Sequence, residues 1–138
     1  MTFLRSLCCL LLLACSVQAV EVVVHSSVSE TTLSTAQLRA IFTMRQTRWT
    51  DGQAIQVFVL QSDHPHHQRF SRDKLKMFPY QLDAIWSRQR YSGIGSFPMQ
   101  VDTAAELLIL LETTPGAIGY LPTDTLSSNL RVVTINEK

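Results

Sequence analysis

The residues Thr114-Pro115-Gly116-Ala117-Ile118-Gly119-Tyr120-Leu121 constrain this chain more than any other stretch. A leucine-rich run, Leu107 to Leu111, stops shortly before them, and an uncharged segment begins. Pro115 has no backbone donor and restricts Thr114, while Gly116 accepts the left-handed geometry that ends helices. Ile118, Tyr120 and Leu121 supply strand-forming bulk. Gly119 leaves one position bare, the mark of a bulge or of another backbone close by. The junction predicts a helix that gives way at once to a core strand, so the fold must mix helices with a buried sheet.

The rest of the chain fits that requirement. Val20 to His25 is a β-branched run that reads as a first strand buried on both faces, and Ser26 to Thr32 as a polar loop. A helix is predicted from Leu33 to about Arg45. Ser34 caps it, Gln37 closes an S-x-x-Q box, and Leu38, Ile41 and Phe42 form one apolar stripe. The polar connection Arg45 to Gly52 ends in an Asp-Gly turn, and Ala54 to Leu60 reads as a second two-sided strand. Two such strands joined through a helix predict a right-handed βαβ unit and a sheet at least partly parallel.

Pro65 and Pro79 each open a further helix at its first position. Phe70, Leu75 and Met77 are the core candidates of one; Leu82, Ile85 and Trp86 form the stripe of the other. Tyr91 to Gln100 is a glycine-bearing loop with a short extended end. Thr103 and Glu106 predict a second capping box, and Leu107 to Leu111, apolar nearly all round, predicts a largely buried helix. Leu130 to Asn136 is the last strand. The order β-α-β-α-α-α-β-β describes a three-layer α/β lobe, with a mostly parallel sheet and helices on both faces.

Residues 1–19 have the pattern of a secretory leader: Arg5, the apolar run Leu7 to Ala14, then Val17 and Ala19 setting a cut before Val20. Leu12-Leu13-Ala14-Cys15 also fits a bacterial lipoprotein signal, with Cys15 lipidated, as a second reading. Removing the leader removes Cys8, Cys9 and Cys15, which are all the cysteines, and with them disulfide and thiolate chemistry. It also takes Arg5 from the 12 basic residues, leaving 11 against 11 acidic ones. A neutral domain argues against nucleic acid as a partner. The expected product is one periplasmic domain, residues 20–138, with no segment that could span a membrane.

The order of motifs carries a resemblance. Leu38-Arg39-Ala40-Ile41-Phe42, Trp49-Thr50-Asp51-Gly52, Trp86-Ser87-Arg88, Ser92-Gly93-Ile94-Gly95 and Thr114 to Tyr120 together resemble the periplasmic phosphate-binding-protein family. More closely, the chain resembles the short, single-lobe secreted members of the type 2 periplasmic-binding superfamily. The resemblance implies about half of a two-lobed protein that closes on a tetrahedral oxyanion and serves phosphate ABC transport. Where that family carries a Gly-Ser-Gly-Thr clamp at a helix start, this chain has Ser62-Asp63-His64-Pro65-His66-His67. Pro65 removes a backbone donor there, and Asp63 repels an anion.

An oxyanion site in a neutral domain needs helix-start amides, hydroxyls and arginine. Ser26 and Ser27 follow the first strand and Ser62 the second; ligands of open α/β sheets bind at that carboxyl edge. Ser26, Ser27, Ser62, His64 and Arg69 are thus the candidate ligand residues, against the plain alternative that the serines only cap and turn. His64, His66 and His67 with Asp63 or His25 invite a metal, yet adjacent histidines at a helix start point apart, and a solvated helix start is the simpler reading. No cofactor is implied. Arg45, Arg48, Arg69, Arg72, Arg88 and Arg90 read mainly as surface ion-pair partners, and Trp49 and Trp86 as core or lobe-contact anchors. No catalytic triad or carboxylate pair is present, so an enzyme is not expected. Two functions stay open: a lobe that binds phosphate or another small oxyanion, and an interaction or sensory module. The second would offer its sheet edge or the Tyr91 to Pro98 loop to a membrane transporter or sensor.

Overall fold

The computed structural model describes residues 19–93 and 96–137. The leader assigned to residues 1–19 therefore lies, save Ala19, outside the described residues. In chain order the elements are strand β1 (Val20–His25), strand β2 (Thr32–Ser34), helix α1 (Thr35–Phe42) and strand β3 (Gln56–Leu60). Helices α2 (Pro65–Asp73) and α3 (Pro79–Ser92), strand β4 (Met99–Val101) and helix α4 (Ala104–Thr113) follow. Strand β5 (Ala117–Pro122), a 3-10 turn (Thr123–Thr125), and strands β6 (Leu130–Val132) and β7 (Thr134–Asn136) complete the chain.

Five strands form one sheet in the order β4-β3-β5-β1-β6, and β2 and β7 form a parallel pair of their own. β3 pairs in parallel with both β4 and β5, whereas β1 is antiparallel to β5 and to β6. Four strands of the main sheet therefore run one way and β1 alone runs the other. The sheet is mostly parallel, but β1 and β3 do not form the βαβ unit expected of them. β5 lies between them, and they run in opposite directions. The crossovers that generate parallel neighbours are β3-α2-α3-β4 and β4-α4-β5, because it is β4 and β5 that flank β3.

β5 is buried at every position. Successive side chains on a strand point to opposite faces. A Cβ placed on Gly119 would stand 3.0 Å and 3.1 Å from the methyl carbons of Leu111 in α4. Its neighbour Tyr120 reaches the other side, where its ring stacks on Phe70 of α2 at 4.1 Å. Helices therefore cover both faces, and the bare position at Gly119 is a packing requirement for α4. Gly116, at φ +79°, turns the chain from α4 into β5. A Cβ there would meet the Ala54 carbonyl oxygen at 2.2 Å, so glycine is required twice over.

The local signals hold where partners are close in sequence. Ser34 Oγ accepts from the Gln37 amide at 3.0 Å, and the Gln37 side chain accepts from the Ser34 amide at 2.9 Å. Pro65 and Pro79 sit at helix starts. The indoles are anchors: Trp49 donates to the Gly116 carbonyl at 3.0 Å, and Trp86 to the Phe42 carbonyl at 2.9 Å, tying α3 to the end of α1.

Other expectations are corrected. The helix read from Leu33 begins at Thr35, because Leu33 belongs to β2. The strand read over Ala54 to Leu60 starts only at Gln56, since Ala54 forms an isolated bridge to Arg48. Helix α3 runs on to Ser92, into the region read as loop. The run Leu130 to Asn136 breaks at Val133, whose amide donates to Val22; β6 extends the main sheet, and β7 leaves it to pair with β2. Thr103 caps α4 by accepting from the Glu106 amide, and no reciprocal bond from the Glu106 side chain accompanies it. α4 is not enclosed: Leu107 and Leu111 are buried, but Ile109 is 59% exposed, because the helix lies on only one face of the sheet.

Candidate functional site

The direction of β1 decides which predicted site residues can meet. β3, β4 and β5 end at a common carboxyl edge, where Ser62 follows β3 and Asp102 follows β4. β1 runs the opposite way, so Ser26 and Ser27 lie at the other edge, beside the starts of β3 and β5. Ser27 Oγ accepts from the Gly116 amide at 3.0 Å and from the Gln53 side-chain amide at 3.1 Å, and lies 2.8 Å from His25 Nδ1. It fastens the loop after β1 to the turn before β5. Ser26 is exposed beside it. The expected convergence of Ser26, Ser27 and Ser62 does not occur, since it presupposed that β1 and β3 were parallel.

At the carboxyl edge a cleft of about 560 Å³ opens between the end of β3, β4 and α3. Gln61, Ser62, Asp63, Asp83, Ser87, Arg90 and Gln100 supply its polar lining. The Ser62 hydroxyl donates to Asp83, the Gln61 amide reaches Asp102 at 3.3 Å, and Arg90 donates to Gln100 at 3.3 Å. Arg90 also lies 4.7 Å from the centre of the Phe97 ring. Two carboxylates against one guanidinium make the lining acidic, and of its two hydroxyls that of Ser62 is already committed to a carboxylate. Such a cleft is poorly suited to an oxyanion.

The start of α2 is filled from within. Pro65 has no N–H to give. His64 is the N-cap, and its Nδ1 accepts from the His66 amide at 3.1 Å, taking the donor that an anion would use. The His64 amide itself donates to the Gln61 carbonyl at 2.9 Å. Arg69 sits further along the helix and pairs with Asp73 at 3.7 Å on a partly exposed flank. It does not line the cleft.

The three histidines diverge. The rings of His64 and His66 lie 4.9 Å apart near the surface. Partial burial, then repulsion by the His64 ring, lowers the pKa of His66, while Asp124 opposes the shift. His67 turns inward and is fully buried, with Nδ1 2.6 Å from the Tyr120 hydroxyl. Burial lowers the pKa of His67 to about 4 and pushes the Tyr120 phenol up from its usual value. Among the described residues no group of three or more His, Cys, Asp or Glu side chains could hold a metal ion.

Sequence reasoning missed Asp83, Arg90 and Gln100 as cleft residues. They come together only because α3 packs across the β3–β4 edge, a contact no local spacing announces. It also missed the His67–Tyr120 pair, whose partners are 53 residues apart.

This arrangement of layers and strands is that of a periplasmic-binding-protein-like lobe. The chain has, in particular, a phosphate-binding-protein-like fold. It superposes on an ABC-type phosphate transport receptor from Vibrio cholerae with TM-score 0.61 and 14% identity, over 86% of this chain and 46% of that one. A protein from Clostridium perfringens, assigned as a phosphate ABC transporter substrate-binding protein and solved with phosphate bound, gives TM-score 0.57 and 16% identity. That match covers 86% of this chain and 45% of the other. PstS from Borrelia burgdorferi gives 0.60 and 13%, covering 86% and 47%. The chain thus spans less than half the length of each of these structures. No family model matches the sequence, and neither does any curated protein. No helix among the described residues is long and apolar enough to cross a membrane.

Proposed function

We propose that residues 20–138 form a non-catalytic, secreted solute-binding-like lobe that serves in the bacterial envelope as an interaction or sensory module. In this reading it does not clasp phosphate at the start of α2. The observation that carries it is the His64 ring, which accepts the His66 amide where an anion would have to sit. Leader removal before Val20 keeps every paired residue of β1, of which Val20 is the first, and removes the bond that the Thr123 amide gives the Ala19 carbonyl at 3.2 Å. The proposed reading takes cleavage there rather than lipidation of Cys15, and the mass of the mature amino terminus tests it.

The surface offered to a partner is the β4 edge. β4 is the end strand of the main sheet, so one row of its backbone donors and acceptors faces outward. Around it Tyr91, Phe97 and Met99 are 92%, 46% and 56% exposed. Exposed aromatics and methionine beside an open strand edge fit docking by strand addition, with a transporter or sensor subunit as the class of partner. A photoreactive phenylalanine analogue placed at Met99, and in a control at the exposed Arg72, tests this in intact cells. A discrete adduct from Met99 alone is expected; no adduct, or equal adducts from both positions, contradicts the assignment.

A second reading, binding of phosphate or another small oxyanion, is favoured by the neighbour solved with phosphate bound. It would have to use Arg90, Ser62 and Ser87 in the cleft at the carboxyl edge.

A further inference from the structure

Helix α3 separates two clefts of opposite character. Asp83, Ser87 and Arg90 face the acidic one already described; Gln81, Ile85 and Gln89, at i, i+4 and i+8, face the other. This second cleft, about 530 Å³, lies between α3, the end of α1 and the turn joining α2 to α3. Among the described residues its charged lining is Arg39, Arg45 and Lys76, with no carboxylate. Met77 and Ile85 give it an apolar wall.

The cations are held in place. Arg39 donates through Nε to the Leu75 carbonyl at 2.7 Å, and Arg45 donates through Nε to Thr43 Oγ1 at 3.1 Å. Thr43 is in turn tied to the Arg39 carbonyl at 2.6 Å. Arg39 also reaches the Lys76 carbonyl at 3.4 Å through one terminal nitrogen. Its guanidinium is thus held at two points and that of Arg45 at its root, and the remaining terminal N–H groups face the cleft. Among the described residues neither has a carboxylate within ion-pairing distance. Lys76 pairs, among the described residues, only with Glu137, at 3.4 Å and exposed, a contact of little energetic weight. The Gln89 amide donates to the Thr43 carbonyl at 2.8 Å, and its oxygen is buried without a protein partner among the described residues.

Both turns beside this cleft carry a non-glycine residue in the left-handed region: Met44 at φ 63° and Lys76 at φ 55°. Glycine is the relaxed choice after a helix end, and an ordinary side chain there is strained. At position 76 glycine would also remove a cation. Retaining Lys76 in that conformation fits a position where charge is kept at the expense of backbone comfort.

We propose that the cleft bounded by Arg39, Arg45, Lys76, Met77 and Ile85 is a binding site for a small amphiphilic anion, a carboxylate or phosphate ester carried on an apolar chain. The cations take the head group, bidentately where a guanidinium meets two oxygens, and the Met77–Ile85 wall takes the apolar body. The site is separate from the β4 edge and does not rest on its partner.

Calorimetric titration of the mature protein with decanoate and with decyl phosphate, below their micelle concentrations, tests the proposal. Inorganic phosphate and decyltrimethylammonium serve as the controls. Saturable binding of one or both decyl anions is expected, their ratio identifying the preferred head group, with neither control binding in the same range. Arg45→Gln and Lys76→Gly should each weaken that binding at least tenfold, while Lys76→Gly leaves the urea midpoint unchanged or raised. No binding of either anion, equal binding of the decyl ammonium, or variants that bind like wild type would overturn the proposal.

Discussion

His67 Nδ1 and the Tyr120 hydroxyl, 2.6 Å apart, join α2 to the central strand β5 inside a shell of Phe42, Phe70 and Trp86. The Leu60 amide donates to the same hydroxyl at 2.8 Å. Hydrogen bonding is fullest with the phenol accepting from Leu60 and donating to His67 Nδ1, which assigns the imidazole proton to Nε2. That nitrogen is buried without a protein partner among the described residues.

Tyr120→Phe should be strongly destabilising although it preserves the ring stack. It strands the Leu60 amide and His67 Nδ1, each at a cost of about 1–3 kcal/mol. Urea unfolding near pH 7.5 should show a lowered midpoint at unchanged slope.

Acid should weaken the fold through His67. Its pKa, lowered by burial to about 4 in the folded state, lies below the ordinary value of 6.5. Between those two values the unfolded chain binds the proton and the folded chain does not, so stability falls as pH drops from about 6.5 toward 4. The full loss is on the order of 3 kcal/mol. Urea midpoints across that range should fall steeply for the wild type and less steeply for His67→Phe, which starts from a lower stability at neutral pH.

The two glycines of the α4–β5 junction should differ in a defined order. At Gly119 an added methyl presses on the flexible end of Leu111, so Gly119→Ala should cost about 1–3 kcal/mol. At Gly116 it would strike the Ala54 carbonyl in a left-handed conformation, and Gly116→Ala should cost more. Thermal melts of the two variants give the ranking.

Ser34→Ala removes the acceptor for the Gln37 amide at the start of α1 and should cost about 1 kcal/mol. Ser34→Gly should recover most of that loss. Chemical denaturation of the pair distinguishes a capping role from a packing one.

These elements also mark what the sequence made legible. The Ser34–Gln37 box, Pro65, Pro79 and the Thr114–Gly116 stop were readable because their partners lie within a few residues. The direction of β1 was not. A strand buried on both faces has no pattern that tells parallel from antiparallel, and its partner β5 lies about a hundred residues away. That one inversion separates Ser26 and Ser27 from Ser62, so their expected convergence rested on a topology the chain does not have. His67 was hidden differently. In a run of histidines it read as solvated, and only the packing of α2 on Tyr120 turns it inward. The basic cleft had no local signature either, since Arg39, Lys76 and Gln89 meet only after α1 and α3 are packed.

The most direct test of the central reading is calorimetric titration of the folded, mature protein with phosphate and with sulfate, beside a His64→Ala variant that frees the His66 amide. The expected result is no saturable heat from the wild type at millimolar anion, whatever the variant does. Saturable phosphate binding by the wild type, abolished by Ser62→Ala or Arg90→Gln, would contradict it and establish the carboxyl-edge cleft as an oxyanion site.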